Sequence, residues 1–170
     1  LDGVASDFRL VPMAGDDVGL IFLETDRGPN TNQFSVNAML FDGAAWGSVQ
    51  ELASDETIRD WDAEGPGTTG TGNVEIVIVS LDEKLLVLNW DGSAVTEPVE
   101  LVSEDVVPPV ELGCGPDDFF SLAYSVKGGG IGFYTKTTGS AWVDRGIVFE
   151  GALPSSLTVL DMFDGTDYVY

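Results

Sequence analysis

A chain of 170 residues, 44% of them hydrophobic, has enough apolar material to bury a core, which excludes a disordered chain and fits one domain or a piece of a larger one. Its 29 Asp and Glu stand against 7 Lys and Arg, a formal charge of −22, and such a surface repels phosphate backbones and anionic lipid, so nucleic acid and membrane-surface partners are set aside. Histidine is absent, which removes Ser-His-Asp and Cys-His nucleophiles and ordinary His-metal sites together.

Two sources of the acidity stay open: adaptation to a salty medium, where a high net charge is screened, or the solvated surface of an extracellular or virion protein with divalent cations bound. Cys114 is the single cysteine, so no internal disulfide supports the fold, and it reads as a small buried hydrophobe. Apolar runs such as VEIVIVSL and KLLVLNW are far shorter than the roughly 20 residues a membrane helix needs, and no membrane insertion is expected. Because the chain opens on Leu1 and not Met, a processed or truncated N-terminus is expected.

In chain order, DFRLVPM, VGLIFLE, FSVNAML, VEIVIVS, KLLVLNW, EPVELV, DFFSLAYS, GIGFYTK, GIVFEG and LTVLDMF are short segments rich in β-branched and aromatic residues, punctuated by Gly, Asp, Asn or Pro. All read as strands. One stretch, SDETIRDWD, reads as a turn or two of helix, with Ser54 as its cap and Ile58 and Trp61 on one face.

Three tetrapeptides repeat: Gly-Ala-Ala-Trp from Gly43, Gly-Ser-Ala-Val from Gly92 and Gly-Ser-Ala-Trp from Gly139, spaced 49 and 47 residues apart. Each follows one strand and precedes another, so each marks a hairpin recurring at a period near 48. A second series of strand, Gly/Asp turn and strand contains Asp17, Asp118 and Asp167, at intervals of 101 and 49. One interval is twice the period, so the middle copy is read as degenerate, with DWDAEGPGTTGTGN in place of its first strand.

Four strands per unit at this period predicts an all-β chain of propeller-like blades of four antiparallel strands, over residues 7–53, 54–104 and 105–151, with a partial blade at 152–170. Closed propellers have roughly four to eight blades, so about three and a half cannot close a ring alone. Three outcomes remain open: further chain completes the ring, copies of the chain complete it, or the sheets form an open or sandwich-like stack.

The stretch from Phe8 to Leu52 resembles a blade of the sialidase-like (Asp-box) β-propeller superfamily. Pro12, Asp17, Glu24, Arg27, Gly43 and Trp46 carry the likeness, with echoes at Pro109, Asp118, Gly139 and Trp142. The full Ser-x-Asp-x-Gly-x-Thr-Trp box is absent: only Gly-x-x-Trp survives, and the middle copy has Val95. The resemblance implies that Arg9, in Phe8-Arg9-Leu10-Val11-Pro12, stands near the place of the arginine that grips a sugar carboxylate, with one residue inserted. It also implies Asn32 where an acid/base Asp belongs, and an amide donates no catalytic proton. The Trp of each hairpin is expected to pack between neighbouring blades.

Arg9 is therefore the sole, weak catalytic candidate. Asp60, Asp62 and Glu64, with Gly65 at the sixth position, resemble the first half of a calcium loop, although Thr71 stands where the closing Glu belongs. Calcium is the one cofactor the sequence suggests. Gly65 to Gly70 matches Gly-x-Gly-x-x-Gly but opens no helix, so it reads as a loop. Trp61, Trp90 and Tyr134 read as sugar-stacking platforms or as core aromatics. The expected function is a non-catalytic extracellular or surface module for binding or assembly, its partners being copies of itself, further chain or a glycan. The alternative is part of a sialidase-like glycoside hydrolase completed by missing chain.

Overall fold

In the computed structural model, residues 4–28, 31–55, 58–66, 73–115, 119–161 and 167–169 are described. Period-two apolar patterning and Gly/Asp turns lay the chain out as successive antiparallel meanders. The first sheet takes β1 (Val4–Pro12), β2 (Val18–Gly28), β3 (Thr31–Phe41) and β4 (Gln50–Asp55), side by side in sequence order. The second takes β5 (Ile58–Glu64), β6 (Val74–Ser80), β7 (Leu85–Trp90) and β8 (Val99–Val102), again in order. The third takes β9 (Val106–Cys114), β10 (Phe119–Val126), β11 (Ile131–Thr137) and β12 (Val143–Phe149). A hairpin of β13 (Val159–Asp161) and β14 (Asp167–Val169) follows.

Among the described residues the chain is thus all-β, with three four-stranded antiparallel sheets, one two-stranded sheet and no helix. The sheets are not closed on one another, so the open stack is the arrangement observed. They stack through their first strands: β1 lies against β5, β5 against β9, and β9 against β13.

The second sheet is the filling of the stack, and its residues show it. Every residue of β6 is buried, as expected of a strand covered on both faces and therefore free of polar alternation. Val74, Ile76 and Ile78 join Trp61, Leu88 and Trp90 in a core shared with Val11, Ile21, Val36 and Ala38 of the first sheet. Val77, Val79, Leu85 and Val87 face the other way, onto Val110, Leu112, Leu122, Tyr124 and Tyr134 of the third. Beyond the third sheet, Leu157 covers Ala123, Ile131 and Phe133. Each such large side chain fully withdrawn from water contributes roughly 1.5–3 kcal/mol, so the two inter-sheet cores hold the stack.

Two expectations are corrected here. SDETIRDWD is not helical: Ser54 ends in β4 and Ile58 begins β5. The segment is too short to hold a helix unaided, whereas as a strand it pairs along β6, with Trp61 opposite Ile78 and Asp62 opposite Val77. The middle copy consequently has a first strand, Ile58–Glu64, lying ahead of the Gly-rich stretch and not displaced by it.

Candidate functional site

The first strands carry a row of charged groups across the stack. Alternation puts Arg9 on the same side of β1 as buried Val11, facing the second sheet. Its Nε donates to Asp62 Oδ1 at 2.7 Å, Nη1 donates to Asp7 Oδ1 at 3.2 Å, and the guanidinium lies 5.5 Å from the centre of the Trp61 ring. Asp60 and Asp62, two apart on β5, reach the opposite way as well. Asp60 Oδ2 accepts the Val110 N–H at 2.9 Å and Asp62 Oδ2 accepts the Leu112 N–H at 2.8 Å.

The reason for carboxylates at these positions follows from the sheet order. β9 is the edge of the third sheet, pairing only with β10, so half of its N–H groups have no ladder partner. A buried orphan N–H costs about 1–3 kcal/mol; two aspartate oxygens meet that need and blunt the edge. Burial pushes the Asp62 carboxyl above its ordinary value, and the Leu112 N–H and Arg9 pull it only part of the way back. Asp60 is raised for the same first reason, opposed by the N–H groups of Val110 and Trp61. Glu111, on β9, is pushed up to about 7 by burial and by the negative charge of Asp62, with Arg9 opposing and Asp60 and Glu64 adding.

Arg9, Asp60 and Asp62 are thus brought together, but as an inter-sheet clasp, while Glu64, further along β5, adds its charge at Glu111. The stretch that reads as half a calcium loop is the extended strand β5, and among the described residues no three His, Cys, Asp or Glu side chains are grouped to hold a metal ion. Thr71, Asp117, Asp118 and the side chains of Arg27 and Asn32 lie outside the described residues. Trp61 is 3% exposed, Trp90 1% and Tyr134 8%, so all three rings are core and present no open face to a sugar. The Trp90 indole N–H donates to Gln50 Oε1 at 3.0 Å, and the Tyr134 hydroxyl donates to the Leu101 carbonyl at 3.2 Å.

A second place was not foreseen. The turns after β3 and β7 are built alike: Asp42 Oδ1 accepts the N–H groups of Ala44 (3.0 Å) and Ala45 (2.8 Å), and Asp91 Oδ1 those of Ser93 (2.8 Å) and Ala94 (2.7 Å). The chain then closes back, Trp46 bridging Phe41 and Val95 bridging Trp90. These N–H groups hold the Asp42 and Asp91 carboxyls below the usual carboxylate range. Between the two turns lies a cleft of about 350 Å³ lined by Leu40, Trp46, Gln50, Trp90 and the polar lip of Asp42, Ser48 and Ser93. Trp46 does not pack between sheets as expected: it is 46% exposed, and its ring leans on Phe41 of its own sheet, with centroids 5.3 Å apart at 48°.

The Gly-x-x-Trp spacing located this turn, and nothing local signalled that Trp46 would stay open. Its counterpart Trp142 is half-buried, with Lys136 Nζ 5.6 Å from its ring centre. For Glu111 the signal in the sequence is the Val-Glu-Leu alternation, which sets it on the face opposite Val110 and Leu112. No family model matches the chain, and no curated protein matches it.

Proposed function

We propose that the chain is a non-catalytic binding module on propeller-like blades, of the sialidase-like type its turns resemble, working outside the cell or on a cell or virion surface. The observation that carries the reading is Trp46: a half-exposed indole on the wall of an open cleft, on a rigid turn, with polar groups around it. Support for the absence of catalysis comes from Arg9, whose guanidinium is engaged by Asp62 and Asp7. A substrate carboxylate would have to displace both. The test is an NMR screen of ¹⁵N-labelled protein against a mixed fragment set of sugars, amino acids and short peptides. Shifts centred on the Trp46 indole N–H and the Ser93 amide are expected; no shift at either for any fragment overturns the reading. The hydrolase alternative requires turnover of a fluorogenic sialoside that Arg9→Ala abolishes.

A second reading, assembly, is favoured by particular side chains. Phe8 is 63% and Leu10 60% exposed on the outer face of the first sheet, and Val143, Ile147, Val148 and Phe149 stand half-exposed along β12. Apolar edges of this kind are ordinarily covered. Light scattering after size exclusion, at low and at multimolar salt, would find a discrete oligomer that Phe8→Asp dissociates; a monomer in both regimes removes the reading.

A further inference from the structure

We infer that the cleft between the turns after β3 and β7 is a saccharide site, selective for a neutral, hydroxyl-rich glycan. The inference rests on the binding reading above and names its ligand class. The cleft is at the small end of ordinary ligand sites, which run roughly 300–1,000 Å³. A pyranose has an apolar face of C–H groups and an equator of hydroxyls, and it needs one flat aromatic surface plus hydrogen-bond donors and acceptors at the side. Trp46 is that surface: it is the most exposed aromatic of the cleft, and its ring is steadied by contact with Phe41.

The lip supplies the rest. Ser48 brings a hydroxyl that donates or accepts, and Ser93, whose hydroxyl donates to Asp91 Oδ1 at 2.9 Å, brings an acceptor. The Trp90 indole N–H takes Gln50 Oε1, which settles which way round that amide sits and leaves its NH₂ as donors. Asp42 spends Oδ1 on its own turn and keeps Oδ2 as an ionised acceptor for a sugar hydroxyl. Asp42 and Ser93 sit on turns pinned by backbone hydrogen bonds, Asp42 N–H to the Ala45 carbonyl at 3.3 Å and Asp91 N–H to the Ala94 carbonyl at 3.2 Å, Ser48 follows Gly47, whose N–H donates to the Leu40 carbonyl at 2.7 Å, and Gln50 is on strand β4, so little ordering is required on binding.

Charge decides between ligand classes. No Lys or Arg lines the cleft, while Asp42 does, so a sialylated or sulfated sugar meets a carboxylate and no counter-ion, against a net charge of −22. A cationic peptide would be drawn to the same surface, but recognition of a cation favours a cage of several aromatic faces, and only Trp46 opens its face here. Three neutral hydrogen-bonding residues beside one aromatic wall fit a neutral sugar better than either.

The experiment is isothermal calorimetry and tryptophan emission on the whole chain, with neutral gluco-, manno- and galacto-hexaoses, 3′-sialyllactose, a heparin hexasaccharide and trilysine as probes. At least one neutral hexaose is expected to bind with a blue shift of the exposed-tryptophan emission, and Trp46→Ala to weaken it at least tenfold, with Trp46→Phe retaining part. Near-UV circular dichroism checks folding, and Trp46→Leu, which keeps apolar packing on Phe41, serves if the alanine variant unfolds. No neutral hexaose binding at millimolar concentration, or binding that Trp46→Ala and Trp46→Leu leave unchanged, overturns the inference. Trp46-dependent binding of trilysine or of an anionic sugar alone also overturns it, yet leaves the binding module standing; silence from every probe together with an unshifted Trp46 in the fragment screen sinks both.

Discussion

Arg9 Nε donates to Asp62 Oδ1 at 2.7 Å while Asp62 Oδ2 accepts the Leu112 N–H at 2.8 Å, so one carboxylate fastens the first strands of three sheets. Asp62 has only 5% of its side chain exposed, and Arg9 37%, so the two partners are not equivalent. Asp62→Ala strands the Leu112 N–H and removes the counter-charge, and is expected to cost about 3 kcal/mol. Asp62→Asn keeps an acceptor and should cost about half of that. Arg9→Ala, at a partly wet position, should cost less than Asp62→Ala. Urea midpoints at constant m-value give this order; an Arg9→Ala loss larger than that of Asp62→Ala contradicts the clasp.

Glu111 makes stability depend on pH in a definite direction. Its carboxyl stands at about 7 in the fold, raised by burial and by Asp62 from an ordinary value of 4.5. Below the ordinary value both folded and unfolded chains hold the proton and the group is neutral in the balance. As pH rises to about 7 the unfolded chain releases it first, so stability falls, and above that the folded chain carries the full cost of the charge. Glu111→Gln should therefore match the wild type at pH 4 and exceed it by about 1–2 kcal/mol at pH 8, the smaller figure reflecting solvent screening of a side chain that is only partly buried. A difference that is flat with pH, or that grows toward acid, is the contrary result.

Lys136 and Glu75 form a pair with 8% and 4% of their side chains exposed, and Asn89 Nδ2 donates to the other Glu75 oxygen at 2.8 Å. Burial raises the Glu75 carboxyl, and Lys136 draws it back. Lys136→Met leaves that carboxylate with the Asn89 amide alone and should cost about 3–5 kcal/mol, whereas the Glu75→Gln/Lys136→Met double variant should recover most of the loss. Thermal unfolding of the two variants beside the wild type reads it. A double variant as unstable as the single one would mean that Lys136 acts through its packing on Trp142 and not through charge.

What was legible in the sequence was whatever a residue and its near neighbours decide together. The run from Val74 to Val79, apolar but for Glu75, is the pattern of a strand covered on both faces, and β6 is that strand. The two Asp-Gly turns appear where the motif places them, because side-chain capping by Asp42 and Asp91 is local. The segment 54–62 misled because Ile58 and Trp61 have helical spacing, and its carboxylates find their long-range partners on β9 and β1, about fifty residues away in either direction. Trp46 and Val95 occupy equivalent positions after equivalent turns, so the openness of the indole depends on where the neighbouring sheet ends. That is a property of the stack, which no window of sequence contains.

The repeated turn makes its own test. Gly43, Gly92 and Gly139 have φ of +83°, +94° and +75°, a region that costs a side-chain-bearing residue roughly 1–2 kcal/mol. A Cβ on Gly43 or Gly139 would meet nothing within 4 Å, so Gly43→Ala and Gly139→Ala isolate the backbone strain and should cost nearly the same. At Gly92 the added methyl would also come within 3.3 Å of Met13 Cε and 3.4 Å of Leu40 Cδ2. Leu40 is on the cleft wall, so Gly92→Ala should cost more than the other two and, alone among them, disturb the emission of Trp46. Equal losses at all three positions would mean that Met13 and Leu40 give way freely, and a neutral Gly43→Ala would mean that the turn relaxes to another conformation, removing the reason for glycine at each repeat.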